Sequence, residues 1–199
     1  MTKLLLMLLL LIPSTFKLTF AQTNYSANLG GTNSTNYFIA VPYETINNLI
    51  IIETIIEGDK YRFLFDTGAV TMISNKLYRK LEAPVLHKIP IYDYNEIVDT
   101  NKVVSLSHIV IGGIVFSNIP AVVNSDDSSI VYNCLEIDGI IGSNLLRNSI
   151  VRFSSREQIV YLTDTPERFN LNDFHASELF LSPLESIPYI WVCAVKSVR

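Results

Sequence analysis

The sequence predicts one all-β lobe, a closed barrel or sandwich of hairpins that carries one or two short helices. Residues 49–52 are leucine and isoleucine in an unbroken run, which favours a buried strand. Turn-forming residues at 57–60 and 112–113 separate short apolar runs at a spacing typical of hairpins. A chain of 199 residues with 49% hydrophobic residues is long enough for one domain with a sizeable core.

The N-terminus has the pattern of a secretory signal. Lys3 precedes an apolar run over residues 4–12, and the small residues Thr19 and Ala21 lie where a signal peptidase requires them, with cleavage expected after Ala21. The run is too short to span a bilayer comfortably, and Lys17 interrupts its far end. We therefore expect residues 1–21 to be removed, the protein to be exported to the periplasm or the exterior, and no stable membrane span to remain.

The segment that follows the signal differs in composition from the rest of the chain. Residues 22–40 are rich in Asn, Ser, Thr and Gly and have no apolar period, which predicts a flexible polar tether before a lobe at 41–165.

Removal of residues 1–21 takes two of the 15 basic residues and none of the 19 acidic ones, which leaves a net charge of −6. Nucleic acid is therefore not an expected partner.

The lobe is expected to be built mainly from hairpins. The first hairpin returns over residues 61–65 and places Asp66 at the end of its second strand. The sequence then predicts a strand over 70–73 and a short helix with Ser74 as its N-cap. The remaining expected elements are, in order, a hairpin over 103–111 and 114–123, a polar loop at 125–129, and a closing hairpin over 150–153 and 158–162.

Asp66 is the residue whose position most needs a chemical explanation. It follows the apolar run Phe63-Leu64-Phe65, and burying an unpaired carboxylate is costly. Gly68 lets the backbone turn sharply and brings an N–H close to the acid. The three histidines and two cysteines form no His-x-x-x-His or Cys-x-x-Cys pair, and no serine lies in a Gly-x-Ser-x-Gly motif. We therefore expect a carboxylate site with no metal and no cofactor.

Two motifs carry a resemblance to a known family. The first is Asp66-Thr67-Gly68-Ala69 after the apolar run. The second is Ile140-Ile141-Gly142, followed by Leu145-Leu146, with Gly142 lying 74 residues after Gly68. Together they resemble the active-site half of the retroviral-type, or retropepsin-like, aspartic proteases. The resemblance implies a single retropepsin-like lobe that acts on a peptide or protein substrate.

The resemblance also implies roles for individual residues. Asp66 would be the catalytic acid, with Thr67 and Gly68 holding it in place. The loop of Ile140, Ile141 and Gly142 would pass beside that turn and keep it rigid. Residues 84–105 would carry the flap that closes over bound peptide. The expected substrate contacts are Ala69, Tyr92 and Tyr94, although the two tyrosines also fit alternate-facing strand positions.

A catalytic dyad needs two carboxylates, and the chain supplies one Asp-Thr-Gly. Asp138 is expected to be a turn residue, and Asp164-Thr165-Pro166 has proline where the glycine N–H is needed. Either a homodimer contributes two copies of Asp66, or a second lobe is missing. The C-terminal extension at 166–199 contains Pro188-Tyr189, which echoes Pro42-Tyr43 and is compatible with the first strand of a truncated second lobe.

Two other readings use the same sequence differently. A lone lobe could keep the fold and bind peptide or a partner subunit without cleaving anything. If the chain is instead an unrelated secreted β-sandwich adhesion domain, both motifs are chance matches.

In an exported chain, Cys134 and Cys193 could form at most one internal disulfide, and their spacing leaves open whether they do.

Overall fold

A computed structural model describes residues 25–92, 97–125, 129–172 and 175–190. The signal segment at 1–21 lies outside these ranges. The elements are β1 Phe38–Ile46, β2 Leu49–Ile56, β3 Asp59–Phe65, β4 Met72–Ser74, α1 Asn75–Leu81, β5 Val85–Tyr92, β6 Ile97–Ile111, β7 Ile114–Asn124, α2 Ile130–Leu135, β8 Gly139–Ile141, α3 Ser143–Leu146, β9 Ile150–Ser154, β10 Ile159–Thr163, a 3-10 turn at Pro166–Arg168, β11 Phe180–Leu181 and β12 Pro188–Tyr189. The fold is all-β with short helices, as predicted.

Six strands close into a barrel. The main sheet runs in the order β5-β6-β7-β4-β8-β3-β2-β1-β10-β9, and a further pairing of β6 with β2 joins Val110 to Ile55. That pairing closes the path β2-β3-β8-β4-β7-β6. β5 extends the sheet beyond β6, while β1, β10 and β9 extend it beyond β2. The expectation of a closed barrel of hairpins is therefore confirmed.

Turn chemistry accounts for the predicted hairpins. Glu57 and Gly58 connect β2 to β3 with φ values of 52° and 88°. Gly112 and Gly113 connect β6 to β7 with φ values of 56° and 89°. Two-residue loops in which both residues have positive φ match the twist of the flanking strands. The closing hairpin of β9 and β10 is also present, close to its predicted bounds.

The barrel interior is a continuous apolar core. Its fully buried side chains include Phe63 on β3, Ile109 on β6, Phe116 on β7 and Ile141 on β8. These residues come from strands far apart in the sequence, so the core fixes how the hairpins close on one another. The strand that carries Asp66 is thereby held rigidly from within the barrel.

The region after Asp66 differs in detail from the prediction. The strand expected over 70–73 begins only at Met72, because the N–H of Thr71 bonds to the side chain of Asn144 on α3. The predicted helix cap is confirmed, since the Ser74 hydroxyl accepts a hydrogen bond from Leu77 N–H at 3.1 Å. The helix α2 was not predicted. Leu135 at its C-terminal end and Ile137 just beyond it pack in a second apolar cluster beside the barrel.

The segment expected to be a flexible tether packs against the lobe over its described part. β1 already begins at Phe38, and Ala27 and Tyr37 are buried. Gly31 pairs with Ser117 on β7 through two backbone hydrogen bonds of 2.7 and 2.9 Å. Polar composition indicated a tether, but main-chain bonds and two buried side chains hold residues 25–37 in place.

The described part of the C-terminal extension forms a small separate hairpin. β11 and β12 pair antiparallel with each other and do not join the main sheet. Its connecting loop is bonded to the N-terminal segment, where Ala27 N–H donates to the Leu184 carbonyl at 2.8 Å and the Asn28 side chain donates to the Pro183 carbonyl at 3.0 Å. Within the described residues, no helix has the length and apolar character needed to cross a membrane.

Candidate active site

Asp66 lies where β3 leaves the barrel wall, directly beside the second motif. β3 and β8 run parallel, and Phe65 is in register with Ile141. Asp66 N–H donates to the Ile141 carbonyl at 3.0 Å. Parallel strands that end at the same edge bring their exit loops together. The Asp66 turn and the Gly142 loop are therefore adjacent, as the sequence motifs predict.

The turn itself aims a main-chain donor at the carboxylate. Gly68 N–H donates to Oδ1 of Asp66 at 2.8 Å, and the Asp66 carbonyl accepts from Ala69 N–H at 3.4 Å. Asp66 and Thr67 are half-buried, and Gly68 is exposed. A hydrogen bond from a fixed N–H orients a carboxylate more firmly than a mobile side chain would. The acid is thus held in one orientation with access to solvent.

The second motif packs against this turn at backbone contact distance. Ser143 N–H and the Ser143 hydroxyl both donate to the Ala69 carbonyl, at 2.8 and 2.9 Å. A Cβ placed on Gly142 would lie 2.2 Å from the Val70 carbonyl carbon and 2.3 Å from Thr71 N. Only glycine fits there. The segment of Ile140, Ile141 and Gly142 therefore packs directly against the Asp66 turn, which is the position that the resemblance implies.

Asn144 is a supporting residue that the sequence reasoning missed. Its side chain is fully buried. Its Oδ1 accepts from Thr71 N–H at 2.8 Å, and its Nδ2 donates to the carbonyls of Pro120 at 2.9 Å and Ala27 at 3.2 Å. One amide thus joins three separate segments. A polar residue between Gly142 and the leucine pair was the available signal, because a buried amide needs partners.

We expect Asn144→Ala to lower the free energy of unfolding by about 3 kcal/mol, because one buried N–H and two buried carbonyls lose this partner. Chemical denaturation followed by circular dichroism measures this change. Asn172→Ala, at an exposed position, is the matched control and should change stability by less than about 0.5 kcal/mol. Equal effects of the two substitutions would contradict the bracing role of Asn144.

The other predicted site residues are not all placed beside Asp66. Ala69 is half-buried and packs on the second apolar cluster, which includes Ile140. Tyr92 ends β5, on the hairpin expected to be the flap, and Tyr94 lies outside the described residues. Substrate contact by Ala69, Tyr92 and Tyr94 remains a prediction.

The two other candidate carboxylates have structural partners. Asp138 accepts from Arg62 N–H at 3.0 Å and lies before β8, whereas Gly142 lies after it. Asp164 accepts from the N–H groups of Asn36 at 2.7 Å and Tyr37 at 3.1 Å. Both carboxylates hold main chain in place, which agrees with their prediction as a turn residue and a strand exit. In the described part of the chain, no group of three His, Cys, Asp or Glu side chains is arranged to hold a metal ion.

Comparison with known proteins agrees with these motifs. Residues 52–145 match the model of a family described as aspartyl protease, and this segment includes both Asp66 and Gly142. A solved retropepsin-like aspartic protease from Rickettsia conorii is 18% identical, with a TM-score of 0.46, over 63% of this chain and 89% of that one. No curated protein matches the chain. Residues 52–145 thus match the aspartyl protease family, and the lobe that contains them is all-β with short helices.

Proposed function

We propose that this chain is an exported aspartic endopeptidase in which Asp66 is the catalytic acid. The observation that supports this most directly is the Gly68 N–H aimed at the Asp66 carboxylate, in a turn braced by Gly142 and Ser143. The family match over residues 52–145 supports a protease. Thr67 and Gly68 would hold the acid, and the substrate would be a peptide or an unfolded protein segment.

The proposed chemistry uses two carboxylates that share one proton. Two such groups close together cannot both ionise, so the pair offers one base and one acid. The base takes a proton from water as the water oxygen attacks the peptide carbonyl carbon, and the acid protonates the carbonyl oxygen. The C–N bond then breaks as the pair gives its proton to the amide nitrogen and takes one from a hydroxyl of the tetrahedral intermediate, so that a carboxylic acid and an amine leave and the pair again shares one proton.

The second carboxylate must come from outside the lobe. A homodimer supplies it most economically, because a twofold axis beside the exposed Gly68 would place two copies of Asp66 face to face. A second lobe is the other source, and residues 166–199 would then lead into it. In both cases the lobe at 41–165 is half of the working enzyme.

Specific activity should rise with protein concentration if the enzyme is a homodimer, because dilution separates the two acids. The measurement is cleavage of a denatured protein over about a hundredfold range of enzyme concentration, with molar mass followed by sedimentation in parallel. Activity per chain should follow the dimer fraction. A monomeric chain with constant specific activity would contradict shared use of Asp66.

A lobe that binds peptide without cleaving it is the second candidate. It is favoured by the single Asp-Thr-Gly motif that the chain contains. In the same experiment this candidate predicts no cleavage at any concentration, together with saturable binding of the unfolded substrate. The two functions are therefore separated by one set of measurements.

We also propose that residues 1–21 direct export and are then removed. N-terminal sequencing of the protein recovered from a secreting host should begin at Gln22, because small residues precede the bond after Ala21. Replacing Ala21 with a bulky residue such as Phe should block processing at that bond. A mature protein that still begins at Met1 would contradict this proposal.

A further inference from the structure

The β5–β6 hairpin is held to the main sheet along one side only. β5 is the edge strand of that sheet, and among the described strands it pairs only with β6. The pairing changes register between Val85 and His87, at the base of the hairpin. An irregularity of this kind interrupts the hydrogen-bond ladder and changes the direction in which a side chain points. The sheet alone therefore fixes the base of this hairpin only weakly.

Tyr25 supplies a contact from outside the sheet. Its ring stacks on the imidazole of His87, with 5.4 Å between the ring centroids and 5° between the ring planes. Nearly parallel rings at this separation attract each other more than the area that they bury would suggest. His87 is exposed on β5 and lies directly after the change of register. The segment predicted to be a flexible tether thus contacts the hairpin expected to be the flap.

The residues that follow Tyr25 are bonded to the C-terminal loop at 182–186. The Ser26 hydroxyl and Ala27 N–H both donate to the Leu184 carbonyl, at 3.2 and 2.8 Å. Burial raises the pKa of Tyr25 to about 12, and the nearby Glu185 carboxylate adds to this rise. The phenol is therefore neutral near pH 7 and lies between this loop and β5.

The same loop is bonded to the segment that packs against the Asp66 turn. The Ser143 hydroxyl lies 3.0 Å from the Glu185 carbonyl and 2.9 Å from the Ala69 carbonyl. Ser143 N–H also donates to the Ala69 carbonyl, at 2.8 Å. A continuous series of contacts therefore connects the Asp66 turn, through Ser143, this loop and Tyr25, to the base of the β5–β6 hairpin.

We propose that Tyr25 is a positioning residue, which by stacking on His87 fixes the base of the β5–β6 hairpin relative to the Asp66 turn and so strengthens substrate binding. Tyr25 acts through the strand β5 and does not itself need to touch the substrate. The effect on substrate binding rests on the proposed function, in which this hairpin contacts bound peptide. The effect on the hairpin itself does not.

The first measurement is hydrogen exchange at residues 85–92 of the full chain, which requires no activity. Tyr25→Ala removes the stack, and we expect these amides to exchange about fivefold faster, in line with the usual strength of an aromatic pair. Tyr25→Phe keeps the ring, so its exchange should equal that of the unchanged protein. His87→Ala removes the same stack at an exposed position. Changing both residues should have no larger effect than changing one, because a single contact is lost in each case.

Tyr161→Ala is the matched control, because it also removes one ring from a stacked pair. Tyr161 lies on β10 and stacks on Phe38, with 5.5 Å between the ring centroids and 18° between the ring planes. β10 and β5 lie near opposite ends of the strand order of the main sheet. The control should therefore leave both the exchange at residues 85–92 and the KM for substrate unchanged.

The second measurement is cleavage of a denatured protein. Tyr25→Ala should raise KM about threefold and change kcat by less than about twofold, because a displaced hairpin weakens the binding of substrate and transition state alike. Tyr25→Phe should restore the original KM. A purely structural loss would not give this result, because unfolded protein lowers the apparent kcat and leaves KM as it was.

Unchanged exchange at residues 85–92 in both Tyr25→Ala and His87→Ala overturns the inference. Faster exchange with an unchanged KM also overturns it, because the stack would then stabilise the hairpin without affecting substrate binding. A Tyr25→Phe variant that behaves like Tyr25→Ala overturns it as well, because the ring would not be responsible.

Failure of the proposed function would look different. If the unchanged protein cleaves nothing, the proposed protease function is wrong, and the dissociation constant for the denatured protein takes the place of KM in the same comparison. A threefold weaker affinity in Tyr25→Ala, restored in Tyr25→Phe, would then support the positioning role. Cleavage that depends on Asp66 but is indifferent to Tyr25→Ala would contradict the positioning role and leave the protease standing.

Discussion

Replacing Asp66 with Asn should abolish peptide cleavage while leaving the fold intact. Asn has nearly the same shape, and its Oδ1 can still accept the hydrogen bond from Gly68 N–H. It cannot, however, share or transfer the proton that the dyad needs, and both halves of a homodimer lose their acid together. We expect kcat on a denatured protein to fall at least about 10³-fold.

The matched control is Asp164→Asn, which alters another of the three Asp-Thr pairs of the chain. Asp164 accepts from the N–H groups of Asn36 and Tyr37 at the exit of β10, so its replacement should affect local stability and not catalysis. Thermal unfolding and sedimentation of both variants would show that fold and assembly are retained. If Asp66→Asn cleaves as well as the unchanged protein, Asp66 is not the catalytic acid.

Features that depend on short stretches of sequence could be predicted. The β2–β3 and β6–β7 turns follow from glycine and from residues that tolerate positive φ, and the helix after Ser74 follows from its cap. The adjacency of Asp66 and Gly142 was predictable only because two motifs were combined. Neither motif alone indicates which distant part of the chain lies beside it in the fold.

Features that depend on contacts across the chain could not be predicted in this way. Asn144 carries the one side-chain amide of the four-residue helix α3, and that amide is buried. Its role depends on hydrogen bonds to Ala27, Thr71 and Pro120, which lie far away in sequence. Residues 25–37 look like a linker by composition, but their backbone bonds to β7 and to the C-terminal segment give them fixed positions. Amino-acid composition indicates how well a segment is hydrated. It does not indicate these backbone contacts, because they depend on the closed barrel.

Gly142→Ala should destabilise the protein more than Gly68→Ala, the other glycine-to-alanine substitution in the two active-site motifs. The added Cβ would lie 2.2 Å from the Val70 carbonyl carbon, 2.3 Å from Thr71 N and 2.5 Å from the Ala69 carbonyl oxygen. All three are backbone atoms, so no side chain can rotate away. We expect a loss of at least about 3 kcal/mol in the free energy of unfolding, and a fall of about 10 °C in Tm.

The comparison that isolates this steric effect is Gly58→Ala. Gly58 has a positive φ of 88°, so alanine is strained there, but nothing lies within 4 Å of its Cβ position. The backbone strain alone should cost about 1 kcal/mol. Because the Gly142 contacts involve the turn that carries Asp66, Gly142→Ala should also lower activity in the fraction that remains folded, whereas Gly58→Ala should not. Equal losses of stability and unchanged activity in both variants would mean that the Gly142 loop does not hold the Asp66 turn in position.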